Sequence, residues 1–148
     1  MLAVIEGIEI FLGVITFLDN LAVIGIHKVY AFVLTEQSDI IFSCVDNNEA
    51  RMLLESFCRE NNIPLVHGGI DGFYGVAYLF VPSHSLTPSE AGLCEGSKAK
   101  YNISATAGVI GSYQASLGIQ YLLTNDNSLS GRILVFDDNK TDTLQLNF

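Results

Sequence analysis

Four residues have side chains suited to phosphate or acyl chemistry: Asp46, Asn47, Arg51 and Cys94. A carboxylate such as Asp46, at a strand end beside a helix N-terminus, can hold a hard cation against phosphate oxygens, or it can simply cap the helix. Arg51 is compatible either with a ligand contact or with an ion pair to a neighbouring acid. Cys94 lies in a polar stretch near Lys98, which predicts an exposed and moderately activated thiol if it is not an ordinary surface cysteine.

The first two of these residues follow a predicted strand and precede a predicted helix. Residues 38–47 form a short apolar run that ends in Asp46 and Asn47, as in a strand buried on both faces. Residues 48–58 place apolar side chains on one helical stripe, namely Ala50, Leu53, Leu54, Phe57 and Cys58. We therefore expect a strand, a tight turn and a helix, with Asn47 or Asn48 as the N-cap.

Further elements are predicted downstream. Pro64 begins a second apolar strand through Val66, and the glycines between Gly68 and Gly75 predict a loop before a third strand at 76–81. Residues 82–101 have no apolar period and read as a long exposed loop. A helix is expected from Ser104 to about residue 125, with Gly111 and Gly118 allowing close approach of another element. Strands at 132–136 and 143–148 are expected to form a hairpin around the acidic turn 137–140.

Together these elements predict an α/β fold with a mixed sheet: parallel strands first, and an antiparallel hairpin at the C-terminus. Ligands of such sheets bind at the carboxyl ends of the strands. Asp46, Asn47 and the loop from Gly68 to Gly75 are therefore expected on the functional rim.

Composition limits the classes of function. The chain has 148 residues, of which 49% are hydrophobic, and 16 acidic against 7 basic residues give a net charge of -9. Such a surface repels phosphate, which argues against nucleic acid as a partner. Polar residues interrupt the apolar N-terminal quarter before it reaches the roughly 20 residues of a membrane span, so no membrane partner is expected.

The cysteines point to a reducing compartment. The 3 cysteines are an odd number and form no Cys-x-x-Cys pair, so neither a disulfide framework nor a zinc site is expected. No basic segment precedes the apolar start, which argues against a signal peptide. We expect a cytoplasmic protein in which Cys44 and Cys58 lie in the core.

Five segments in unbroken order resemble the second half of the ThiF/MoeB/HesA family, the bacterial relatives of ubiquitin-activating enzymes. They are DIIFSCVDNNEAR at 39–51, IPLVHGG at 63–69, GFYG at 72–75, AGVIGSYQA at 107–115 and SGRILVFD at 130–137. The resemblance implies a single Rossmann-like domain over 1–148. Within it, 1–37 is a divergent apolar segment, 38–148 is the family-like region and 82–103 is the crossover loop.

The resemblance implies an ATP-dependent adenylyltransferase. In this family a carboxylate, commonly the C-terminus of a ubiquitin-like sulfur carrier, attacks the α-phosphate of ATP and becomes an acyl adenylate. By resemblance, Asp46 helps to place magnesium and the phosphates, and Asn47 and Arg51 line the nucleotide pocket. Cys94 lies in the loop that in relatives holds a cysteine able to take the activated carboxylate. Family members are usually dimers, so a homo- or hetero-dimer is expected.

The sequence also departs from the family. It contains no Gly-x-Gly-x-x-Gly motif, so we expect a fold that lacks the Gly-rich nucleotide-binding half, a truncated chain, and weak ATP binding by the chain alone. The zinc-binding cysteine pairs of many relatives are missing, which predicts no zinc. Two alternatives therefore stay open: a catalytically silent partner subunit, and an enzyme that activates a small-molecule carboxylate.

Overall fold

A computed structural model describes residues 21–24, 38–94, 101–137 and 140–146. Apart from 21–24, the apolar segment 1–37 lies outside the described residues, and so do Lys98 and the tip of the C-terminal hairpin at 138–139.

The described strands form one six-stranded sheet whose spatial order follows the chain. The first three strands pair in parallel, and each later strand is antiparallel to its neighbour. The strands are β1 (Leu21–Ile24), β2 (Ile40–Ser43), β3 (Leu65–Asp71), β4 (Tyr74–Phe80), β5 (Arg132–Asp137) and β6 (Lys140–Gln145). The predicted α/β mixed sheet with a C-terminal antiparallel hairpin is confirmed.

Helix α1 (Asn48–Glu60) connects β2 to β3 and covers one face of the sheet. Its N-cap is Asn47, whose side-chain Oδ1 accepts a hydrogen bond from the Ala50 amide at 2.8 Å. The core on this face joins α1 to alternate strand residues, including Ile41, Leu65 and Tyr78. The predicted apolar stripe is only partly right, because Leu53 is exposed while Glu55 is buried.

Helix α2 (Ser104–Thr124) covers the opposite face, where it packs on the other alternate residues of the same strands, among them Phe42, Val66 and Leu79. Its predicted end is confirmed by Asn125, which has the left-handed φ of 49° common at helix C-termini. Gly118 faces the Phe42 ring so closely that a Cβ would clash. At Gly111, a Cβ would meet none of the described residues within 4 Å, so the close approach predicted there is not seen in this part of the chain.

The predicted loop from Gly68 to Gly75 is wrong. Gly68 and Gly69 lie inside β3 and pair with Ala77 and Val76 of β4, and the chain reverses only at Gly72, whose φ is 64°. Pairing with β4 outweighs the weak strand preference of glycine. Gly75 also lies in a strand, where a Cβ would clash with Ile110 of α2.

Two other expectations are corrected. The stretch after β4 is not uniformly exposed, because Thr87 and Pro88 are buried in a series of turns that runs to Cys94. Cys58 is fully buried as predicted, but Cys44 is exposed, because β2 ends at Ser43, one residue before it.

Candidate functional site

A cleft of about 510 Å³ opens at the carboxyl end of β2. It exists because β2 ends at Ser43, opposite His67, while β3 continues for four more residues to Asp71. The start of α1, the β3–β4 hairpin and the first half of α2 surround the opening. Its lining includes Val45, Asp46, Arg51, Gly69, Asp71 and Gln114. The volume lies within the range of about 300–1,000 Å³ typical of small-molecule sites.

Asp46 lies at the rim of this cleft, directly before the N-terminus of α1. Its side chain is exposed and accepts a hydrogen bond from Asn47 Nδ2 at 3.4 Å. Since Asn47 caps the helix, α1 does not need Asp46 for that purpose. The structure therefore assigns helix capping to Asn47 and leaves the Asp46 carboxylate exposed at the rim of the cleft.

Arg51 lies one turn into α1 and lines the same cleft. Its Nη1 donates to Asn48 Oδ1 at 3.3 Å and its Nη2 donates to the Val45 carbonyl oxygen at 3.2 Å, while Nε is buried without a hydrogen-bond partner. In the described part of the chain its partners are therefore not acids. The guanidinium lies across the end of β2. Among the described residues that line the cleft, it is the only cationic side chain.

Cys94 lies beside the second turn of α1, not among the residues that line the cleft. Its Sγ donates to Glu55 Oε1 at 3.3 Å. Burial, together with the Glu55 carboxylate, raises the pKa of this thiol to about 12, and the more distant Arg51 lowers it less. In the described residues Cys94 is a half-buried thiol that donates to Glu55. Lys98, on which the expected activation depends, lies outside them, so that activation stays a prediction.

Glu55 is a residue that the sequence prediction missed. It lies four positions after Arg51, on the adjacent turn of α1, and is only 4% exposed. Its carboxylate accepts hydrogen bonds from the Ser89 backbone amide at 3.2 Å, from the Ser89 hydroxyl and from Cys94. The sequence does contain a signal for this role: Glu55 follows Leu54 on the buried side of α1. An acid that is buried there needs hydrogen-bond partners.

His67 and Gln114 were also missed as parts of this region. His67 is 1% exposed on the α1 side of the sheet, and burial together with the Arg51 charge lowers its pKa to about 4. Gln114 reaches from α2, and its Nε2 donates to the carbonyl oxygens of Ser43 and Val66 at 3.1 and 3.2 Å. These two contacts join β2 to β3 at the inner end of the cleft.

The predicted residues therefore fall into two groups along α1. Asp46, Asn47 and Arg51 meet at its N-terminal end, and Cys94 is held one turn further along. In the described ranges, no group of three or more His, Cys, Asp and Glu residues could hold a metal ion. The helices in these ranges include none with the length and apolar character of a membrane span.

A mixed sheet covered by a helix on each face, with a strand-turn-helix unit at its parallel end, defines a Rossmann-like α/β domain. The sequence matches the model of the ThiF family over residues 8–147, and the chain belongs to this family.

Two curated relatives are similar over most of this chain. The SAMP-activating enzyme E1 of Haloferax volcanii is 33% identical over 119 residues, which cover 76% of this chain and 42% of that enzyme. The adenylyltransferase and sulfurtransferase MOCS3 of Culex quinquefasciatus is 32% identical over 120 residues, which cover 75% of this chain and 27% of that protein. The chain therefore spans less than half the length of either relative.

Solved structures show the same fold at low sequence identity. A heterocyclase in complex with substrate and cofactor superposes with a TM-score of 0.60 at 8% identity, covering 86% of this chain and 24% of the heterocyclase. E. coli MccB with ATP gives a TM-score of 0.54 at 14% identity, covering 72% of this chain and 36% of MccB.

Proposed function

We propose that this chain takes part in ATP-dependent activation of a carboxylate, as the half of a ThiF-type adenylyltransferase that supplies the metal-side acid. The observation that carries the proposal is the position of Asp46, exposed at the mouth of a cleft beside a capped helix N-terminus and Arg51. The two curated relatives support it, because their names describe an activating enzyme and an adenylyltransferase.

The residues of the cleft fit the phosphate end of Mg-ATP. The free amides of the first turn of α1 and the Arg51 guanidinium supply positive potential, and the unpartnered Arg51 Nε adds a buried donor at the same end of the helix. Asp46 supplies an oxygen ligand for Mg²⁺. When bound, the nucleotide would supply the adenylyl group that converts a carboxylate into a better acyl donor, with pyrophosphate as the leaving group.

The proposed nucleotide would bring a metal to Asp46. This carboxylate lies at the mouth of the cleft, and a polyphosphate placed beside it is repelled unless a divalent cation lies between them. We infer that Mg²⁺ strengthens nucleotide binding in this cleft.

The proposed carboxylate is the C-terminus of a ubiquitin-like or sulfur-carrier protein, and a small carboxylate is the alternative. A second function is favoured by one observation, the single guanidinium of the described cleft. A cleft with one guanidinium among its described residues fits a partner subunit that docks on a complete enzyme, as half of a homo- or hetero-dimer in the cytoplasm.

Exchange of radiolabelled pyrophosphate into ATP tests the proposal, with the chain alone and with a complete ThiF-family subunit, and with a carrier protein or small acids as carboxylate. Asp46→Asn should lower the exchange rate at least about tenfold, which is roughly 1.4 kcal/mol of transition-state stabilisation, while the melting temperature stays near that of the wild type. Glu49→Gln, which makes the same carboxylate-to-amide change at an exposed residue of α1 that is not among the cleft-lining residues, is the matched control. Unchanged exchange in Asp46→Asn would remove Asp46 from the reaction.

A further inference from the structure

Glu55 makes an unusual set of contacts for an acid on a helix. It is 4% exposed, yet in the described part of the chain no cation lies within ion-pairing distance of it. Its two oxygens instead accept from neutral donors, namely the Ser89 amide, the Ser89 hydroxyl and the Cys94 thiol. These hydrogen bonds hold the buried carboxylate close to each of the three donors.

All three donors belong to one segment, residues 89–94, which ends a series of turns after β4. A second carboxylate, Glu90, holds the start of the same series: it accepts from the Thr87 amide at 2.9 Å and pairs with Arg59. Glu90 and Arg59 are both exposed, whereas Glu55 is buried. The segment is therefore fixed to α1 by one surface contact and one buried contact, and only the buried one reaches Cys94.

We propose that Glu55 is a positioning residue for Cys94: it fixes residues 89–94 on α1 and holds the Cys94 thiol as a hydrogen-bond donor that is unavailable as a nucleophile beside the cleft. Cys94 becomes a nucleophile only after this segment has left Glu55. The inference rests on the proposed function only for the use made of the free thiol. The contact between Cys94 and Glu55 involves neither the nucleotide nor the carboxylate substrate.

The charged groups that act on Cys94 from the described residues are Glu55 and Arg51, both on α1, and they oppose each other. Burial and Glu55 raise the thiol pKa, and the smaller effect of Arg51 leaves it at about 12. Glu95 and Lys98 follow Cys94 in sequence, outside the described residues. A substitution at position 55 leaves both in place, so a comparison between variants isolates the effect of Glu55.

The test is the rate of Cys94 alkylation by iodoacetamide in the full chain, followed by peptide mass spectrometry across a range of pH. The exposed Cys44 is the internal reference, and the fully buried Cys58 should stay unmodified. In Glu55→Gln, loss of the carboxylate charge should lower the apparent pKa of Cys94 and speed its alkylation about tenfold or more near pH 8, since each pKa unit changes the thiolate fraction about tenfold. Glu55→Asp, which retains the charge, should stay slow.

Two further variants separate the effect of the Glu55 charge from the effect of holding residues 89–94 on α1. Ser89→Ala removes one bond from the segment but leaves the Glu55 charge, so it should speed alkylation at an unchanged apparent pKa. Glu90→Gln alters the exposed contact alone and should leave the Cys94 rate within about twofold of wild type.

The proposal is overturned if Glu55→Gln leaves the apparent pKa of Cys94 where the wild type has it, whatever the rate. If Glu55→Gln does not fold, titration of Cys94 in the wild type decides, and a pKa near the ordinary value of about 8.5 would overturn it. None of these measurements needs ATP or a carrier, so a failure here is distinct from a failure of the proposed function.

Discussion

The carboxamide of Gln114 lies against the backbone of Gly68, so closely that a methyl group at position 68 would occupy the same space. The same side chain donates to the carbonyl oxygens of Ser43 and Val66 and is 5% exposed. The absence of a side chain at position 68 thus allows α2 to place an amide donor between two strands, at the point where β2 ends and the cleft begins.

Gly68→Ala should therefore destabilise the fold. The new methyl group must displace a buried amide that makes two hydrogen bonds, and overpacking of this kind costs typically about 1–3 kcal/mol. Urea denaturation measures the change in the free energy of unfolding. Gly108→Ala is the control, because a Cβ there meets nothing within 4 Å and alanine favours a helix interior by about 0.5–1 kcal/mol. Equal effects of the two substitutions would contradict the packing described here.

Asn47→Ala should shorten or weaken α1. The substitution removes the hydrogen bond to the Ala50 amide, and loss of an N-cap costs about 0.5–2 kcal/mol. Denaturant unfolding followed by circular dichroism measures this loss. Asp46→Ala removes the neighbouring exposed side chain and should cost much less. If Asp46→Ala were the more destabilising of the two, Asp46 would be the structural residue and its proposed role would fail.

His67 should make the fold sensitive to mild acid. Its pKa is about 4 in the folded chain, below the value of about 6.5 expected in the unfolded chain, so the unfolded state binds the proton more readily. This contribution to stability is complete above about pH 6.5 and is lost as the pH falls towards 4, by roughly 3 kcal/mol at most.

Urea midpoints between pH 7 and pH 4 measure this dependence. Since carboxylates also titrate over part of this range, the decisive quantity is the difference between wild type and His67→Leu, whose slope should be shallower between pH 6.5 and 5. Parallel slopes for wild type and His67→Leu would contradict the assignment.

The chain alone should bind Mg-ATP weakly. Arg51 is the one cationic lining residue of the described cleft, the chain carries a net charge of -9, and an exposed helix N-terminus contributes at most about 1 kcal/mol towards an anion. Isothermal titration calorimetry with Mg-ATP should therefore show a dissociation constant weaker than micromolar. Micromolar affinity would mean that residues outside the described ranges complete a nucleotide site, and the partner-subunit alternative would lose its support.

The sequence by itself determined the local units. The apolar run before Asp46, the helical stripe after it and the helix from Ser104 were predictable because backbone propensity, capping and periodicity act over a few residues. The same local patterns placed Asp46 and Asn47 at a strand end and Arg51 one turn into a helix. The family also followed from sequence, since its segments are short and occur in fixed order.

Only the tertiary structure decided how distant residues meet. The glycines at 68, 69 and 75 read locally as a loop, but the pairing of β3 with β4 places them in strands, with Gln114 packed against Gly68 and Ile110 against Gly75. Cys94 read as an exposed thiol near a lysine, yet it meets Glu55, 39 positions earlier in the chain. A residue's pKa and burial depend on neighbours brought together by folding, and no local pattern contains them. The cleft likewise exists because β2 is shorter than β3, a difference fixed by the pairing of the whole sheet.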